Sequence, residues 1–492
     1  MKHRSTRRTR TRRERTTAGL RPLLVAAAIA FAGCGALAES MRAADVVPPE
    51  LGQPWRAGDV ESARPLAAET LPGIPARLAP EAGRLTLGQL LDAALQTNPQ
   101  TERAWQEAHA ALAEWDVQRG RYLPRLYGNV SVVDVRAPES DGKQPAVEPV
   151  REPGIAIDYL LFDFGRRAAA VESARQLLFA ANWRYDQRIQ DVLLRVAAAY
   201  YGLIGRRALT AADEESLADA QLVLRAADER LQVGTGTIVD VYQARAGAAR
   251  IELDLASDRG EVESARGALA TAVGWPANTR FDVVDLPSDM ALDRVEGNVD
   301  ALIERARLQR PELGAARAEV LRDDAQIAGA RASFLPEVVA GASYNRQAPE
   351  FGGPNAGAYD QYRYGIEVNV PLFAGFQRWN ALRAAEARRA ASDADLRDRT
   401  QVVIAQVWDA YYDFRTAVAR VRASQVLLAS ARESYQAALA TYRDGVGDVV
   451  ELLNGLSLLA TARAANVVAR TDLFTSHAVL LRAIGEDVAA VR

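Results

Sequence analysis

Two acidic residues occupy the same place in two matching stretches of the chain. Asp240 follows a Gly-X-Gly turn in RLQVGTGTIVDVYQA, residues 230–244, and Glu451 follows another in TYRDGVGDVVELLNG, residues 441–455. Gly234 aligns with Gly445, Gly236 with Gly447 and Val239 with Val450, each 211 residues apart. A carboxylate so placed could serve a nucleotide site or complement the positive end of a helix. Neither stretch has the third glycine of a dinucleotide fingerprint, which removes the first option. The rest of the chain offers no catalytic spacing: there is no nucleophile elbow, CxxC, HExxH or phosphate loop, and His3, His109 and His477 are too scattered to ligate a metal. The residues point away from an enzyme and imply no cofactor.

The turns must therefore be understood through the elements that carry them. The 211-residue offset recurs: Leu193, Val196, Tyr200 and Leu203 align with Ile404, Val407, Tyr411 and Phe414, and their 3-4-3 spacing makes one apolar helical stripe. Pro99 pairs with Pro311 and Pro124 with Pro336 at an offset of 212, and Phe162 pairs with Phe373 at 211. The chain is one unit written twice, over 85–275 and 299–485, joined by residues 276–298. Each copy predicts a helix (86–121 and 299–333), a strand pair, a long helix (166–232 and 377–443), the glycine turn and a return helix (238–273 and 449–484). At 1.5 Å per residue the long helices are rods of about 100 Å, and the two shorter helices stacked end to end match them. The rods must be bundle or coiled-coil elements, and glycine supplies the positive φ that reverses each rod into its partner.

The strand pairs are 126–136 with 154–162 and 337–346 with 362–372. The run YRYGIEVNVPLF, 362–373, sets Tyr362, Tyr364, Ile366, Val368 and Val370 against Arg363, Gly365, Glu367 and Asn369. Runs of about ten residues with one apolar face suit an outer-membrane strand, and a half-buried soluble sheet alternates in the same way. Four strands cannot close a membrane barrel, so the membrane reading requires several chains.

The first 21 residues carry a net charge of +8, leaving -11 on the remainder, which excludes a nucleic-acid footprint. This basic head leads into PLLVAAAIAFAGCGALAES, an export signal too short to span a membrane. Ordinary cleavage would follow Ala38, giving a signal of 1–38, whereas the FAGC run allows cleavage after residue 33 and lipidation of Cys34. Residues 39–84, with seven prolines, read as an extended arm, and 486–492 as a short tail.

The signal, the duplicated order, YLP and FLP before the strands, PLFAGF after them and the paired glycine turns together resemble the TolC-like outer-membrane efflux protein family. The resemblance covers nearly all of the chain from about residue 85 onward. It implies a mainly α, internally duplicated fold with a small β part. Three chains would supply four strands each to a 12-stranded outer-membrane β-barrel in outer-membrane lipid, and their helical hairpins would wall a periplasmic tunnel. The implied partners are a homotrimer, a periplasmic membrane-fusion (adaptor) protein and an inner-membrane pump of RND or ABC type. The turns would then lie at the periplasmic tip. The resemblance makes Val233, Gly234, Thr235, Asp444, Gly445 and Val446 adaptor contacts. It makes Glu451, Asn454, Asp448, Tyr442 and Asp240 residues of the pore gate, with Tyr442 matching a tyrosine of the links that close the tip and Gly447 standing where some members carry an arginine. Three Glu451 carboxylates around one opening would favour cations.

Two other readings stand beside this one. An envelope-anchored coiled coil or adhesin would share the rods but has no need of four amphipathic strands. Within the channel reading, a drug, a metal or a protein could be the cargo.

Overall fold

The computed structural model describes residues 73–76, 78–79, 83–136, 147–285, 298–349 and 358–486, all within the unit Pro72–Arg492. The signal, Cys34, most of the arm and the tail beyond residue 486 lie outside them. In chain order the elements are α1 (Leu87–Thr97), α2 (Pro99–Gly120), β1 (Arg125–Arg136), β2 (Val147–Phe162), α3 (Arg166–Gln232) and α4 (Ile238–Val273). The second copy follows as α5 (Val299–Gln309), α6 (Pro311–Ala332), β3 (Glu337–Pro349), β4 (Tyr359–Asn369), α7 (Gln377–Arg443) and α8 (Val449–Ile484).

Three expectations need correction. The segments 86–121 and 299–333 are each two helices, because Asn98 and Arg310 precede prolines and adopt extended ψ of 121° and 122°. Proline then sits at the first position of α2 and α6, where its missing N–H costs nothing. α2 and α6 pack along the rods, whereas α1 packs on α3 and α4, and α5 on α7 and α8. β2 begins at Val147 rather than at 154, and its ladder to β3 is interrupted at Glu152 and Pro153, as proline's missing donor requires. β4 ends at Asn369, short of 372, ahead of Pro371.

The sheet is antiparallel in the order β1-β2-β3-β4. One face carries Leu126, Val130, Val132, Ile155, Ile157, Tyr362, Tyr364 and Ile366, all exposed. The other carries Arg125, Asn129, Asp158, Ser343, Arg363 and Glu367. The helices take the same lateral order, with α2 and α4 on α3, then α6 and α8, then α7. Both layers thus form one wall with two unpaired edges: β1 over α2 and α4, and β4 over α7.

Three buried clusters hold the wall. Leu90, Leu193, Val196, Tyr200, Leu269, Trp275 and Val283 join α1, α3, α4 and the start of the connection, and Leu78 of the arm reaches the same core. Val223, Val241, Tyr435, Tyr442, Leu452 and Leu456 join the hairpins near the turns, and Leu313, Val407, Phe414, Leu473 and Leu480 join α6, α7 and α8. Among the described residues α8 alone is long and apolar enough to cross a membrane, but its leucines, apart from the exposed Leu458, belong to the last two clusters.

The two helix breaks are secured alike, with different residues. Asn98 donates to the Ala272 carbonyl at 2.8 Å, at the end of α4. Its counterpart Arg310 donates to the Ala483 carbonyl at 3.1 Å and the Arg482 carbonyl at 3.3 Å, at the end of α8. Arg310 also meets Glu312 and Gln406, and Arg482 meets Glu312 and Asp191. Burial lowers the pKa of Arg310. For Glu312 burial works upward, but Arg482 and Arg310 outweigh it and hold the carboxyl below its ordinary value.

Between α3 and α4, Asp213 faces Asp258 and Asp254, while nearby Arg259 is taken by Glu214 at 2.9 Å. Burial and then these two acids push the Asp213 carboxyl up from 3.8 to about 7. The protonated form is favoured in the fold, so this site costs no stability below about pH 4 and its full penalty above about pH 7. Asp213→Asn is therefore expected to raise the thermal unfolding midpoint at pH 8 relative to the parent and to leave it unchanged at pH 4. Circular dichroism at the two pH values checks this.

Candidate functional site at the paired glycine turns

Each rod ends in a turn in which the two glycines have different duties. Gly234 and Gly445 have φ of 77° and 83°, a conformation that side chains with a Cβ rarely adopt, and open space surrounds them. Gly236 and Gly447 have ordinary φ but no room. A Cβ at Gly236 would lie 3.0 Å from the Arg230 Cβ, and one at Gly447 would lie 2.9 Å from the Tyr442 backbone nitrogen. That close approach lets two successive amides reach one carbonyl. Thr235 and Gly236 both donate to Arg230 at 2.9 Å, and Val446 and Gly447 both donate to Thr441 at 3.1 and 2.9 Å.

The return helices start with different chemistry. Thr237 caps α4 in a reciprocal box with Asp240: the Asp240 amide donates to the threonine hydroxyl, and the Thr237 amide to the carboxylate at 3.0 Å. In the second copy Asp448 is itself the cap, accepting from the Val450 amide at 3.2 Å. Glu451 stands in the first turn of α8, exposed, and Asn454 is exposed one turn on. So Asp240 is engaged in helix capping, whereas Glu451 is exposed and has no ion pair or side-chain hydrogen bond among the described residues. Val233 (73% exposed) and Val446 (86%) project from the turns, with Ile238, Val239 and Val450 also exposed, a concentration of apolar surface at one end of the molecule. Thr235 is exposed beside Val233. Asp444 caps the end of α7, its amide donating to the Ala440 carbonyl at 2.9 Å.

Sequence reasoning missed Arg230, the residue that joins the two turns. From the end of α3 its guanidinium lies over the Tyr442 ring, 4.5 Å from the centroid. It donates to the carbonyls of Tyr442 at 3.0 Å, Gly447 at 3.3 Å and Thr235 at 3.1 Å. Tyr442 is 1% exposed, and its hydroxyl has no hydrogen-bond partner among the described residues. Burial and Asp240 raise its pKa, while Arg230 opposes them. Arg230 aligns with Thr441 in the second copy, so the repeat carries no sign of this role. The arrangement holds three carbonyls and one ring on a single cation, and contains no nucleophile–base pair.

Comparison with known proteins gives one answer at two levels. The description of outer membrane efflux proteins matches residues 90–275 and, a second time, 302–486, one match for each copy. Protein CyaE of Bordetella pertussis is 30% identical over 409 residues, covering 82% of this chain and 84% of its own length. The alkaline protease secretion protein AprF of Pseudomonas aeruginosa is 27% identical over 404 residues, covering 79% and 82%. The solved structure of the outer membrane protein VceC from Vibrio cholerae superimposes with a TM-score of 0.71 at 22% identity, covering 82% of this chain and 96% of that one.

Proposed function

The chain belongs to the outer membrane efflux protein family, and on that premise we propose that three copies close into a conduit whose periplasmic tip is gated at the glycine turns. It is an outer-membrane channel of the efflux and secretion type, with a tunnel reaching into the periplasm. The wall with two unpaired edges carries the trimer reading. β4 and α7 of one copy would meet β1, α2 and α4 of the next, removing both sheet edges and bringing the strand count to twelve. Both helical edges carry exposed large apolar side chains, Trp408 and Tyr412 on α7 and Trp105 and Leu253 on α2 and α4, which such closure would bury. The apolar face of the sheet would meet lipid and the polar face the lumen.

The exposed valines at the turns would receive the hairpins of a periplasmic adaptor protein, which would couple the conduit to an inner-membrane pump. Glu451 would ring the entrance. With Asn454 neutral, its three carboxylates would set a preference for cations. Conductance in planar bilayers tests both points. The parent protein is expected to form cation-preferring channels, and Glu451→Ala to move the reversal potential toward zero in a salt gradient. An unaltered preference would remove Glu451 from the gate, and absence of conductance would remove the conduit. AprF, named for protease secretion, favours a polypeptide cargo as the first to try.

A further inference from the structure

We propose that the junction of sheet and helices holds an anion subsite in the channel lumen, formed by Arg121 and Arg125. The inference rests on the channel reading, which makes the polar face of the sheet the lumenal one. That face meets the ends of α2 and α3 around a cavity of about 640 Å³. Arg121, Arg125, Arg166 and Arg167 line it, with Asp158 and Glu337 as its acids.

Two of the four guanidiniums are engaged. Arg167 is buried, pairs with Asp163 at 3.2 Å, and lies over the Tyr122 ring at 4.7 Å. Its guanidinium also reaches the Arg121 carbonyl at 3.5 Å and so steadies the loop carrying that residue. Arg166 pairs with Glu337. Among the described residues, Arg121 and Arg125 have neither an ion pair nor a side-chain hydrogen bond. Asp158 sits across the ladder from Arg125, yet accepts its hydrogen bond from the Tyr127 hydroxyl at 3.1 Å. One further acid, Glu114, lines the adjoining cavity together with Arg121.

The duplication shows that this charge is not a requirement of the fold. At the same junction the second copy has Ser333, Glu337 and Gln377 where the first has Arg121, Arg125 and Arg166; only Arg167 recurs, as Arg378. The buried arginine that secures the strand-to-helix passage is kept, and the three exposed ones are peculiar to the first copy. Planar guanidiniums with free N–H groups recognise carboxylate and phosphate oxygens, and a low-dielectric wall strengthens that attraction. In a trimer the pair repeats three times around one opening, which suits an anion of several charges. Such a group could be a solute in the lumen or a lipid headgroup, and we assign it to the solute because the cavity lies on the polar face.

Inorganic tripolyphosphate added to the barrel side of channels in neutral phosphatidylcholine bilayers tests this. The parent conductance is expected to be blocked in a dose-dependent way, and the R121Q/R125Q double variant to need about ten times more tripolyphosphate. Equal block of parent and double variant, both trimeric and conducting, would overturn the subsite while leaving the channel intact. Loss of block only in phosphatidylglycerol bilayers would overturn the lumenal assignment in favour of a lipid headgroup. A parent that does not conduct would instead count against the channel reading itself.

Discussion

Arg310→Ala is expected to destabilise the protein by about 3–5 kcal/mol, the largest effect of any single substitution considered for stability. Arg310 is 5% exposed and sits in the break between α5 and α6. Its side chain serves the last carbonyls of α8, one glutamate and one glutamine. With the buried Arg482, the half-buried Glu312 and the partly exposed Asp191 it makes a set of two cations and two anions. Alanine would leave two carboxylates around one guanidinium and strip the end of α8 of its donors, so the cost is that of uncompensated buried charge rather than of one ordinary bond. Arg310→Lys keeps the charge but cannot fork between the carbonyls and Glu312, and should recover only part of the loss. The exposed pair Arg103–Glu107, at 81% and 61% exposure, provides the contrast: removing it should leave the midpoint where it was. Thermal unfolding of the detergent-solubilised protein, followed by circular dichroism, reads all three variants. An Arg310→Ala midpoint equal to that of the parent would show that the network contributes nothing net.

The same residue marks where the sequence stopped being readable. The rods were legible because their signal is collective: dozens of residues without a helix breaker, an apolar stripe, and a second copy repeating both. The strands were legible by alternation, and the resemblance supplied the fold into which both fit. Pro99 and Pro311 are visible in the sequence but do not by themselves divide a helix, since a proline at the first position of a helix looks the same on paper as a proline that kinks one. Only the docking of Asn98 and Arg310 on the ends of α4 and α8, 174 and 173 residues away, decides for two helices. The extent of β2 was hidden in the same way, because Pro153 argues against a strand unless its missing donor falls where the ladder to β3 is interrupted.

At the turns the legible part was the backbone and the illegible part was the partnership. Gly-X-Gly announces a reversal, yet the division between a glycine that needs its φ and a glycine that has no room appears only in the geometry. Asp240 and Glu451 align in the repeat, but they part company because the first cap is a threonine and the second an aspartate. A threonine cap recruits Asp240 into a reciprocal box; Asp448 occupies its own cap and leaves Glu451 exposed. Arg230 had no signal at all, because its partners Tyr442 and Gly447 are 212 and 217 residues distant and nothing in the other copy corresponds to it.

Arg230→Ala is accordingly expected to have the largest effect on the behaviour of the tip. A charged donor to several carbonyls contributes about 1.5–3 kcal/mol, and a guanidinium over an aromatic ring adds about 0.5–1 kcal/mol. Because Arg230 ties the end of α3 to the end of α7 and to the second turn, its loss frees the two hairpin tips of one chain to move apart. If the resting tip is closed, a bias of 2–3 kcal/mol shifts the ratio of closed to open by roughly a hundredfold. The expected result is a marked rise in single-channel conductance or open probability without any adaptor present. Tyr442→Phe separates this mechanism from one that works through the tyrosine hydroxyl. The ring remains under the guanidinium and the hydroxyl has no partner to lose among the described residues, so this variant should conduct like the parent. Arg230→Lys, which keeps the charge but not the fork, should fall between parent and alanine. An open channel in Tyr442→Phe with a closed one in Arg230→Ala would transfer the latch from the guanidinium to the hydroxyl, and with it the identity of the contact that an opening partner must break.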